Sequence, residues 1–339
     1  MRALVCDGPE RVALREVATP EPGPGEVLVR VAVALTCATD FKLLRRGHPK
    51  FPFPLTLGHE FAGVVERAGE GAGFQAGERV TSAISSPCGA CANCRAGRGN
   101  LCDTAFERPL FGAFADFLLV PERIVKDGLR RIPSELSDEA AALLDPLASV
   151  VHAIDRVKTA VDGIVLIVGT GPIAAMFFFL LRGKEEGRDR EEPGGVRRIA
   201  IAGRRPEKLV FFERNNAEVA RIGNSPPRSF SLVVDTTGDP GVIEALPGLA
   251  ADGGAVLLFA GLPAGARVSL DAHAVHYREV SILGSFHYTP READEALMLL
   301  SRGAVPAAEI VSAHRPLADW RAAFDLARCG AAMKIGLVP

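Results

Sequence analysis

The stretch GIVLIVGTGPIA, residues 163–174, sets the fold class, because an apolar run leads directly into a turn with two glycines. The run GIVLIV is typical of a buried strand, and the apolar residues that follow the turn predict a helix. The turn fits the pattern G-x-G-x-x-G/A, whose first glycine permits a tight turn and whose second lets the backbone approach a pyrophosphate. A simple glycine turn between strand and helix is the competing interpretation. The residues that the pattern assigns to a dinucleotide are Gly169, Gly171, Pro172 and Ile173.

Strand and helix patterns alternate on the C-terminal side of this turn. The strand RRIAIAG (197–203) precedes the helix PEKLVFFERNN (206–216), and three further apolar runs have strand character. Such alternation implies right-handed crossovers and a parallel sheet with helices on its faces, which is an α/β fold of the doubly wound type. The charged segment KEEGRDREEPGG (184–195) is predicted to be a solvated surface loop or, alternatively, an extension of the preceding helix that frays.

The end of the second strand indicates which nicotinamide cofactor is bound. A site for NAD normally has an acidic residue there, which bonds the hydroxyls of the adenosine ribose. This sequence has Gly203, Arg204 and Arg205 instead. Glycine leaves room for a 2′-phosphate, and arginine can pair with that phosphate in a bidentate manner. We therefore predict NADP(H) in preference to NAD(H), with Thr237 and Gly261 also assigned to the cofactor; alternatively, both arginines cover the helix start and face water.

Four cysteines lie within fifteen residues, at Cys88, Cys91, Cys94 and Cys102. Four thiolates can close a tetrahedron around Zn²⁺ and leave no open position, which is the pattern of a structural zinc site. The turn-forming residues between them allow the chain to fold around an ion. An iron–sulfur cluster is the alternative, although the spacing differs from that of bacterial ferredoxins. We predict that this lobe, residues 86–104, holds a loop in shape and does no chemistry.

A second set of donor residues is dispersed along the chain. Cys37 ends the alternating apolar run VLVRVAVALTC, and His59 and Glu60 follow a glycine. Asp145 precedes a proline, where we expect a break after a helix that Ser137 caps, since proline disfavours helical geometry in the preceding residue. Each residue alone has a structural interpretation. Together they supply the sulfur, nitrogen and oxygen ligands that suit a catalytic zinc with one exchangeable position.

Composition limits the classes of protein that the chain can be. Its 339 residues suggest two domains, and 48% hydrophobic with 24% charged residues is ordinary for a globular protein. A formal net charge of −2 gives no electrostatic reason to expect a nucleic acid or a membrane surface as a partner. We see neither a signal peptide nor an apolar stretch near the roughly 20 residues that a bilayer requires, and so expect a cytoplasmic protein.

In their order along the chain, these motifs resemble those of the medium-chain zinc alcohol dehydrogenases, which include sorbitol, threonine and secondary-alcohol dehydrogenases. The motifs are Cys37-Ala38-Thr39-Asp40, Gly58-His59-Glu60, the cysteine lobe, Asp145-Pro146-Leu147-Ala148 and Gly169–Ala174. The resemblance runs over nearly the whole chain. It implies a β-rich GroES-like catalytic domain at 1–148 and 286–339, split around a Rossmann domain at 149–285. It also implies a homodimer or homotetramer.

The resemblance assigns the dispersed donors to a catalytic zinc. Cys37 and His59 are the expected ligands, and Glu60 is the adjacent carboxylate that in relatives can bind or release the metal. Asp145 stands where many relatives have glutamate, and it is the candidate fourth ligand with a shorter side chain. Asp40 resembles the acid that orients the ligand histidine, as metal-bound histidines usually require.

A proton relay and a cofactor contact are implied in the same way. Thr39 matches the hydroxyl that takes the proton of the alcohol, and Lys42 stands where many relatives carry a histidine at the far end of the relay. The ordinary lysine pKa of about 10.4 would move the pH dependence unless burial lowers it. Lys334, in the terminal KIGLVP, resembles the basic residue that touches the cofactor pyrophosphate.

The predicted activity is hydride transfer between NADP and a small-molecule alcohol, secondary or polyol, which becomes a ketone or an aldehyde. A sugar or amino-alcohol dehydrogenase of the threonine type would use the same residues. We expect the substrate pocket to draw on residues 45–55, Phe106–Phe114 and Phe286–Tyr288. The alternative outside enzymes is a metal-stabilised dinucleotide-binding protein with a regulatory or structural role. That protein would not need the dispersed donors and the relay together.

Overall fold

The computed structural model of the chain describes residues 1–47, 51–157, 163–186, 196–221 and 223–339. They form two compact units, Met1–Ala148 together with His287–Pro339, and Ser149–Phe286. The second unit therefore ends one residue beyond the boundary expected from the sequence. In the ranges that the structure describes, no helix is both long enough and apolar enough to cross a membrane.

The N-terminal part of the first unit consists of strands and mostly short helices. Its strands are β1 (Arg2–Gly8), β2 (Arg11–Glu16), β3 (Val27–Leu35), β4 (Leu55–Thr56), β5 (Glu60–Ala68), β6 (Arg79–Ser82), β7 (Phe117–Val120) and β8 (Leu129–Arg131). Its helices are α1 (Ala38–Arg46), α2 (Ala92–Arg95), α3 (Glu122–Asp127) and α4 (Asp138–Ala141), with a 3₁₀ turn at Gly99–Leu101. Helix α5 (Leu144–Val157) begins in this unit and continues into the second, which starts at Ser149. The break falls at residues 142–143, so Asp145 lies in the first turn of α5 and not at the break itself. Proline is tolerated after Asp145 because a first-turn amide has no partner within the helix.

The second unit alternates strand and helix, and its sheet is parallel throughout. Its strands are β9 (Gly163–Val168), β10 (Val196–Gly203), β11 (Glu218–Arg221), β12 (Phe230–Asp235), β13 (Ala250–Leu258) and β14 (Ser281–Gly284). Its helices are α6 (Pro172–Glu186), α7 (Pro206–Arg214), α8 (Pro240–Ile243), α9 (Leu246–Leu249) and α10 (Ala272–Tyr277). The strand order β11-β10-β9-β12-β13-β14 reverses direction at β9, which confirms the predicted doubly wound sheet.

Burial explains why β9 and α6 form as predicted. Residues 165–168 of the strand and 174–181 of the helix are all buried, as expected for apolar runs on either side of a sheet-to-helix turn. Helix α6 continues through Glu186, so the charged segment 184–195 begins as an extension of the helix, which was the alternative to a surface loop. Residues 187–195 of that segment lie outside the described residues.

The chain then returns to the first unit and completes its larger sheet. The returning elements are α11 (Pro290–Ser301), α12 (Ala307–Ile310), β15 (Val311–Pro316), a 3₁₀ turn at Leu317–Asp319, α13 (Trp320–Cys329) and β16 (Lys334–Val338). Strand β16 pairs antiparallel with β3 and parallel with β15, in a sheet of order β15-β16-β3-β5-β6-β8 to which β7 adds beside β3. Ile335 and Leu337 are fully buried in the core beneath this sheet, so apolar burial holds the last strand in place.

Candidate metal centre and cofactor pocket

Three donor side chains converge where β3 ends and β5 begins. Cys37, His59 and Glu60 each offer one ligand atom within 4.8 Å of the others. Cys37 is the extended N-cap residue of α1, directly after β3. Glu60 pairs with Leu35 in the antiparallel ladder of β3 and β5, which brings the two motifs together although they are distant in sequence.

Asp40 holds the backbone on both sides of this cluster. It is fully buried, its Oδ2 accepts a hydrogen bond from the Cys37 amide at 3.0 Å, and its Oδ1 accepts one from the Gly58 amide at 3.3 Å. Its Oδ1 also lies 3.6 Å from Nδ1 of His59, which is too long for a hydrogen bond. Asp40 therefore acts on His59 through its charge and through the loops that it fixes.

The residue before His59 has to be glycine. Gly58 has a φ of +88°, in the left-handed region, and a Cβ at this position would lie 2.6 Å from the backbone nitrogen of Phe114. Any larger side chain would both strain the backbone and push this neighbouring segment away. The glycine thus fixes the direction in which the chain presents His59.

Burial and charge oppose each other at two of the donors. Burial lowers the pKa of the His59 imidazole, but the charges of Cys37 and Asp40 outweigh burial and raise that pKa well above its ordinary value. Burial raises the pKa of the Glu60 carboxyl group, and Lys334 and His59 only partly oppose it. Among the described residues, Oε1 of Glu60 is buried without a hydrogen-bond partner. A divalent cation would satisfy this oxygen, and the sulfur, nitrogen and oxygen donors beside it fit zinc.

Lys334 lies at the start of β16, and it is the charged partner of Glu60. Its Nζ is paired with Oε2 of Glu60 and donates to the Thr36 carbonyl at 3.2 Å. Its contact with the cofactor pyrophosphate stays a prediction. Both charged side chains are almost completely buried, so each needs the other. Burial lowers the pKa of Lys334, but the Glu60 carboxylate and neighbouring charges outweigh burial and raise it.

Asp145, the predicted fourth ligand, lies outside the three converging donors. Its Oδ1 accepts hydrogen bonds from the phenol of Tyr288 and from the Ile84 amide, the latter at 3.3 Å. Tyr288 is buried, and burial together with the charge of Asp145 raises the pKa of the phenol well above its ordinary value. Sequence reasoning gave Tyr288 to the substrate pocket and missed its bond to Asp145, which no local pattern reveals.

An aromatic ring packs against one of the donors, and a second aromatic pair involves the returning segment. The ring of Phe111 lies 5.4 Å from that of His59, in an edge-to-face arrangement. His287, the first residue of the returning segment, lies 4.9 Å from Phe106. Phe106, Phe111 and His287 fall in the ranges that we predicted for the substrate pocket. Residues 48–50 of the predicted range 45–55 lie outside the described part of the chain.

Both residues of the predicted proton relay lie on α1. Thr39 is half-buried in the first turn, and Lys42 lines a cavity of about 600 Å³ whose walls come mainly from α1 and α13. Burial lowers the pKa of Lys42, the charge of Cys37 opposes this, and Arg45 and Arg46 reinforce it. The lysine pKa therefore moves in the direction that a proton acceptor requires.

The four cysteines of the lobe form a second cluster. Their sulfur atoms lie within 4.8 Å of one another. Backbone amides donate to these sulfur atoms. The Cys88 amide donates to the sulfur of Cys102 at 3.2 Å, and the Cys91 amide donates to the sulfur of Cys88 at 3.3 Å. Burial raises the pKa of Cys102, but the Cys88 amide and other hydrogen bonds outweigh burial and lower it to about 6. Four converging thiols with amide donors fit a closed, structural zinc site.

A cavity of about 240 Å³ lies at the carboxyl ends of the central strands of the second unit. It is lined by Gly169, Thr170, Gly171, Gly203, Arg204, Arg205, Lys208, Thr236 and Thr237. The structure thus brings together six of the residues that we predicted for the cofactor. Pro172 and Ile173 begin α6. Gly261 lies close to Gly238, because a Cβ built at Gly238 would be 3.0 Å from the carbonyl oxygen of Gly261.

Lys208 lines the cofactor cavity but was missed from the sequence. It stands in the first turn of α7, where the helix dipole disfavours a positive charge. A cation at this position was the signal that could have identified it. It joins Arg204 and Arg205 as a third basic side chain at the end of β10.

The two glycines of the turn serve different purposes. Gly169 has a φ of +128°, and a Cβ there would lie 2.0 Å from Oγ1 of Thr236. Apart from its chain neighbours, no atom of the described residues lies within 4 Å of a Cβ built at Gly171, so its backbone is open toward the cavity. The first glycine is therefore needed by the protein, and the second leaves space for a ligand.

Comparisons with known proteins agree with this geometry. Residues 23–129 match the model of the alcohol dehydrogenase GroES-like domain. D-altritol 5-dehydrogenase of Agrobacterium fabrum is 32% identical over 320 aligned positions, which cover 91% of this chain and 90% of that protein. L-threonine 3-dehydrogenase of Rhizobium johnstonii is 28% identical, and the aligned region covers 99% of this chain and 97% of that protein. A solved structure from Sinorhizobium meliloti 1021, named a zinc-binding dehydrogenase and bound to NADP, has a TM-score of 0.85 at 28% identity, covering 100% of this chain and 99% of that one.

These relatives match this chain over 91% to 100% of its length. The chain itself brings together the dispersed donors, the cysteine lobe and the residues of the dinucleotide turn. The chain belongs to the medium-chain zinc alcohol dehydrogenase family and is an oxidoreductase that acts on alcohols.

Proposed function

We propose that the chain is a zinc-dependent dehydrogenase that transfers a hydride between a secondary alcohol or polyol and NADP. The observation that carries the proposal is the convergence of Cys37, His59 and Glu60, where Oε1 of Glu60 is buried without a hydrogen-bond partner among the described residues. Relatives named for polyols, D-altritol 5-dehydrogenase and an erythritol/L-threitol dehydrogenase of Mycolicibacterium smegmatis, support the substrate class. A threonine-type amino alcohol is the second candidate, which the L-threonine 3-dehydrogenase relatives favour.

Cys37, His59 and Glu60 would hold the catalytic zinc, and the four cysteines of the lobe would hold a structural zinc. When bound, the catalytic ion supplies a Lewis acid that makes the hydroxyl group of the alcohol more acidic. Asp40 keeps the backbone amides of Cys37 and Gly58 in place and so fixes the geometry of the donors.

The chain's own residues move the proton and exclude water. Thr39 and Lys42 are three residues apart on α1 and therefore share a helix face. The Thr39 hydroxyl accepts the proton of the alcohol and passes it toward Lys42, whose lowered pKa makes its amine a better acceptor near neutral pH. Phe111 places an apolar ring against His59, and this limits the access of water to that donor.

The cofactor is held by the turn between β9 and α6. Gly171 leaves the backbone open to a pyrophosphate at the N-terminus of α6, where the helix dipole favours negative charge. Arg204, Arg205 and Lys208 supply positive charge for a 2′-phosphate at the end of β10. The NADP that is bound to the structure from Sinorhizobium meliloti supports this preference.

The test combines zinc content with a substrate screen. We expect two zinc ions per chain by elemental analysis, and oxidation of secondary alcohols or polyols with a higher kcat/KM for NADP⁺ than for NAD⁺. Cys37→Ser should lose one zinc ion and nearly all turnover, whereas the zinc of the cysteine lobe should remain.

Three results would contradict the proposal. Turnover of Cys37→Ser at the wild-type rate would remove the catalytic zinc from the mechanism. Zinc in the cysteine lobe alone, without turnover of any alcohol, would favour a dinucleotide-binding protein with a structural or regulatory role. Higher activity with threonine than with any polyol or simple secondary alcohol would move the substrate to the amino-alcohol class.

A further inference from the structure

An acidic side chain lies beside the cofactor cavity on a different strand end from the basic ones. Asp239 caps α8, and its Oδ1 accepts a hydrogen bond from the Gly241 amide at 3.1 Å. Its Oδ2 lies 3.5 Å from Nη1 of Arg204. The hydrogen bond to the Gly241 amide holds the Asp239 carboxylate in place, and its second oxygen faces Arg204.

Arg204 is therefore shared between the cavity and this carboxylate. It lines the cavity with Gly203 and Thr237, and its side chain is 71% exposed while that of Asp239 is 39% exposed. An ion pair with so much contact to water is weak, because solvent screens the attraction and both side chains keep their freedom. A dianionic phosphate with several acceptor oxygens is a stronger partner for a guanidinium group than a single carboxylate oxygen at this distance.

We propose that Asp239 is a specificity-determining residue that limits the preference for NADP over NAD by competing with the 2′-phosphate for Arg204. Asp239 pairs with Arg204 when the ribose carries no phosphate. Its negative charge also repels a 2′-phosphate and so weakens the binding of NADP. Because NAD lacks the phosphate, its binding does not disturb the pair. The proposal rests on the NADP binding proposed above, and it makes Asp239 a positioning residue that acts through Arg204.

The substitution Asp239→Asn separates this role from the helix cap. Asparagine caps helices about as well as aspartate, so α8 keeps its N-terminal hydrogen bond while the charge is lost. Asp271→Asn is the matched control, because Asp271 caps α10 in the same way, accepting from the Ala274 amide at 3.0 Å, and is not among the residues that line the cavity. Melting temperatures of both variants check that the fold is retained.

The experiment measures dissociation constants of NADPH and NADH by fluorescence titration of the full-length, zinc-loaded protein. Asp239→Asn should bind NADPH about threefold to fivefold more tightly and NADH within about 1.5-fold of wild type. Asp271→Asn should change neither constant. Arg204→Gln should weaken NADPH binding by at least about fivefold. When Asp239→Asn is added to Arg204→Gln, the dissociation constant of NADPH should change by less than about 1.5-fold.

Three outcomes would overturn the proposal: an unchanged or weaker affinity of Asp239→Asn for NADPH, an equal gain for NADH, or the same gain in the Arg204→Gln background. The wild-type ratio of the two constants tests the proposed cofactor preference separately. If the wild type binds NADH more tightly, that preference is wrong, whereas the change of the ratio in Asp239→Asn still decides the role of Asp239.

Discussion

Among single residues, the identities of the donors could be predicted from the sequence, but several of their partners could not. Cys37, His59 and Glu60 carry recognisable chemistry in short motifs, and strand pairing brings them together. Lys334 and Tyr288 find their partners through packing between segments far apart in sequence, about which local patterns carry no information. A buried charge requires a partner, and Glu60 is the partner of Lys334, which the sequence did not reveal.

Lys42 gives a prediction about pH dependence. Its pKa is lowered from the ordinary value, mainly by burial. A protonated amine cannot accept a proton, so alcohol oxidation should rise as the pH increases through this lowered pKa. Lys42→Gln should abolish that limb of the profile of kcat/KM against pH and reduce oxidation about tenfold to a hundredfold.

The neighbouring Arg45 provides the control for Lys42. It is an exposed cation on the same helix, and Arg45→Gln removes one positive charge while the Lys42 amine stays in place. Its pH profile should keep the basic limb but shift it to higher pH, because the charge of Arg45 helps to lower the pKa of Lys42. A Lys42→Gln enzyme with an unchanged profile would exclude the lysine from the proton relay.

Among elements, the long apolar strands and helices were predictable and the short ones were not. Hydrophobic periodicity identified β9, α6, β10 and α7, and Ser137 caps α4 as expected, with its Oγ accepting from the Ala140 amide at 3.2 Å. Strand β11 and the short helices α8 to α10 were missed because four to six residues do not show a period. The sequence left the end of α6 open between a loop and a helix extension, since a run of charged residues favours neither decisively.

The turn between β9 and α6 gives a prediction with an internal control. Gly169→Ala should lower the free energy of unfolding by about 2 kcal/mol or more, because the alanine would adopt a left-handed conformation and contact Thr236. Gly171→Ala should leave that free energy within about 0.5 kcal/mol, since open space surrounds its Cβ position.

Nucleotide affinity separates the two glycines further. Gly171→Ala should bind NADPH at least about tenfold more weakly, because the added methyl group occupies the space of the pyrophosphate. Urea unfolding and NADPH titration measure the two quantities. A Gly171→Ala protein that unfolds early yet binds NADPH normally would contradict the role of this glycine.

For the whole molecule, the fold class and the parallel sheet followed from the alternation of strand and helix. The pairing of β16 with β3 could not be read from any local pattern, because it joins residues at opposite ends of the chain. The resemblance to a family, and not periodicity, led us to expect a returning C-terminal segment. Fold prediction of this kind therefore depends on recognising the order of motifs over the full chain.

The two donor clusters should contribute differently to the stability of the whole protein. The cysteine lobe is a chain of turns around four sulfur atoms, so its ion would replace a hydrophobic core there. Cys94→Ser should lower the melting temperature more than Cys37→Ser, while Cys37→Ser should lose more activity. Calorimetry with parallel assays tests this, and equal melting temperatures would contradict a structural role for the lobe.

Anomalous diffraction at the zinc absorption edge, from crystals grown with zinc and NADP, tests the catalytic centre itself. We predict two peaks per chain: one bonded to the sulfur of Cys37, the imidazole of His59 and a carboxylate oxygen of Glu60, and one among the four sulfur atoms of the lobe. A peak in the lobe alone, with the first three side chains free of metal, would contradict the assignment.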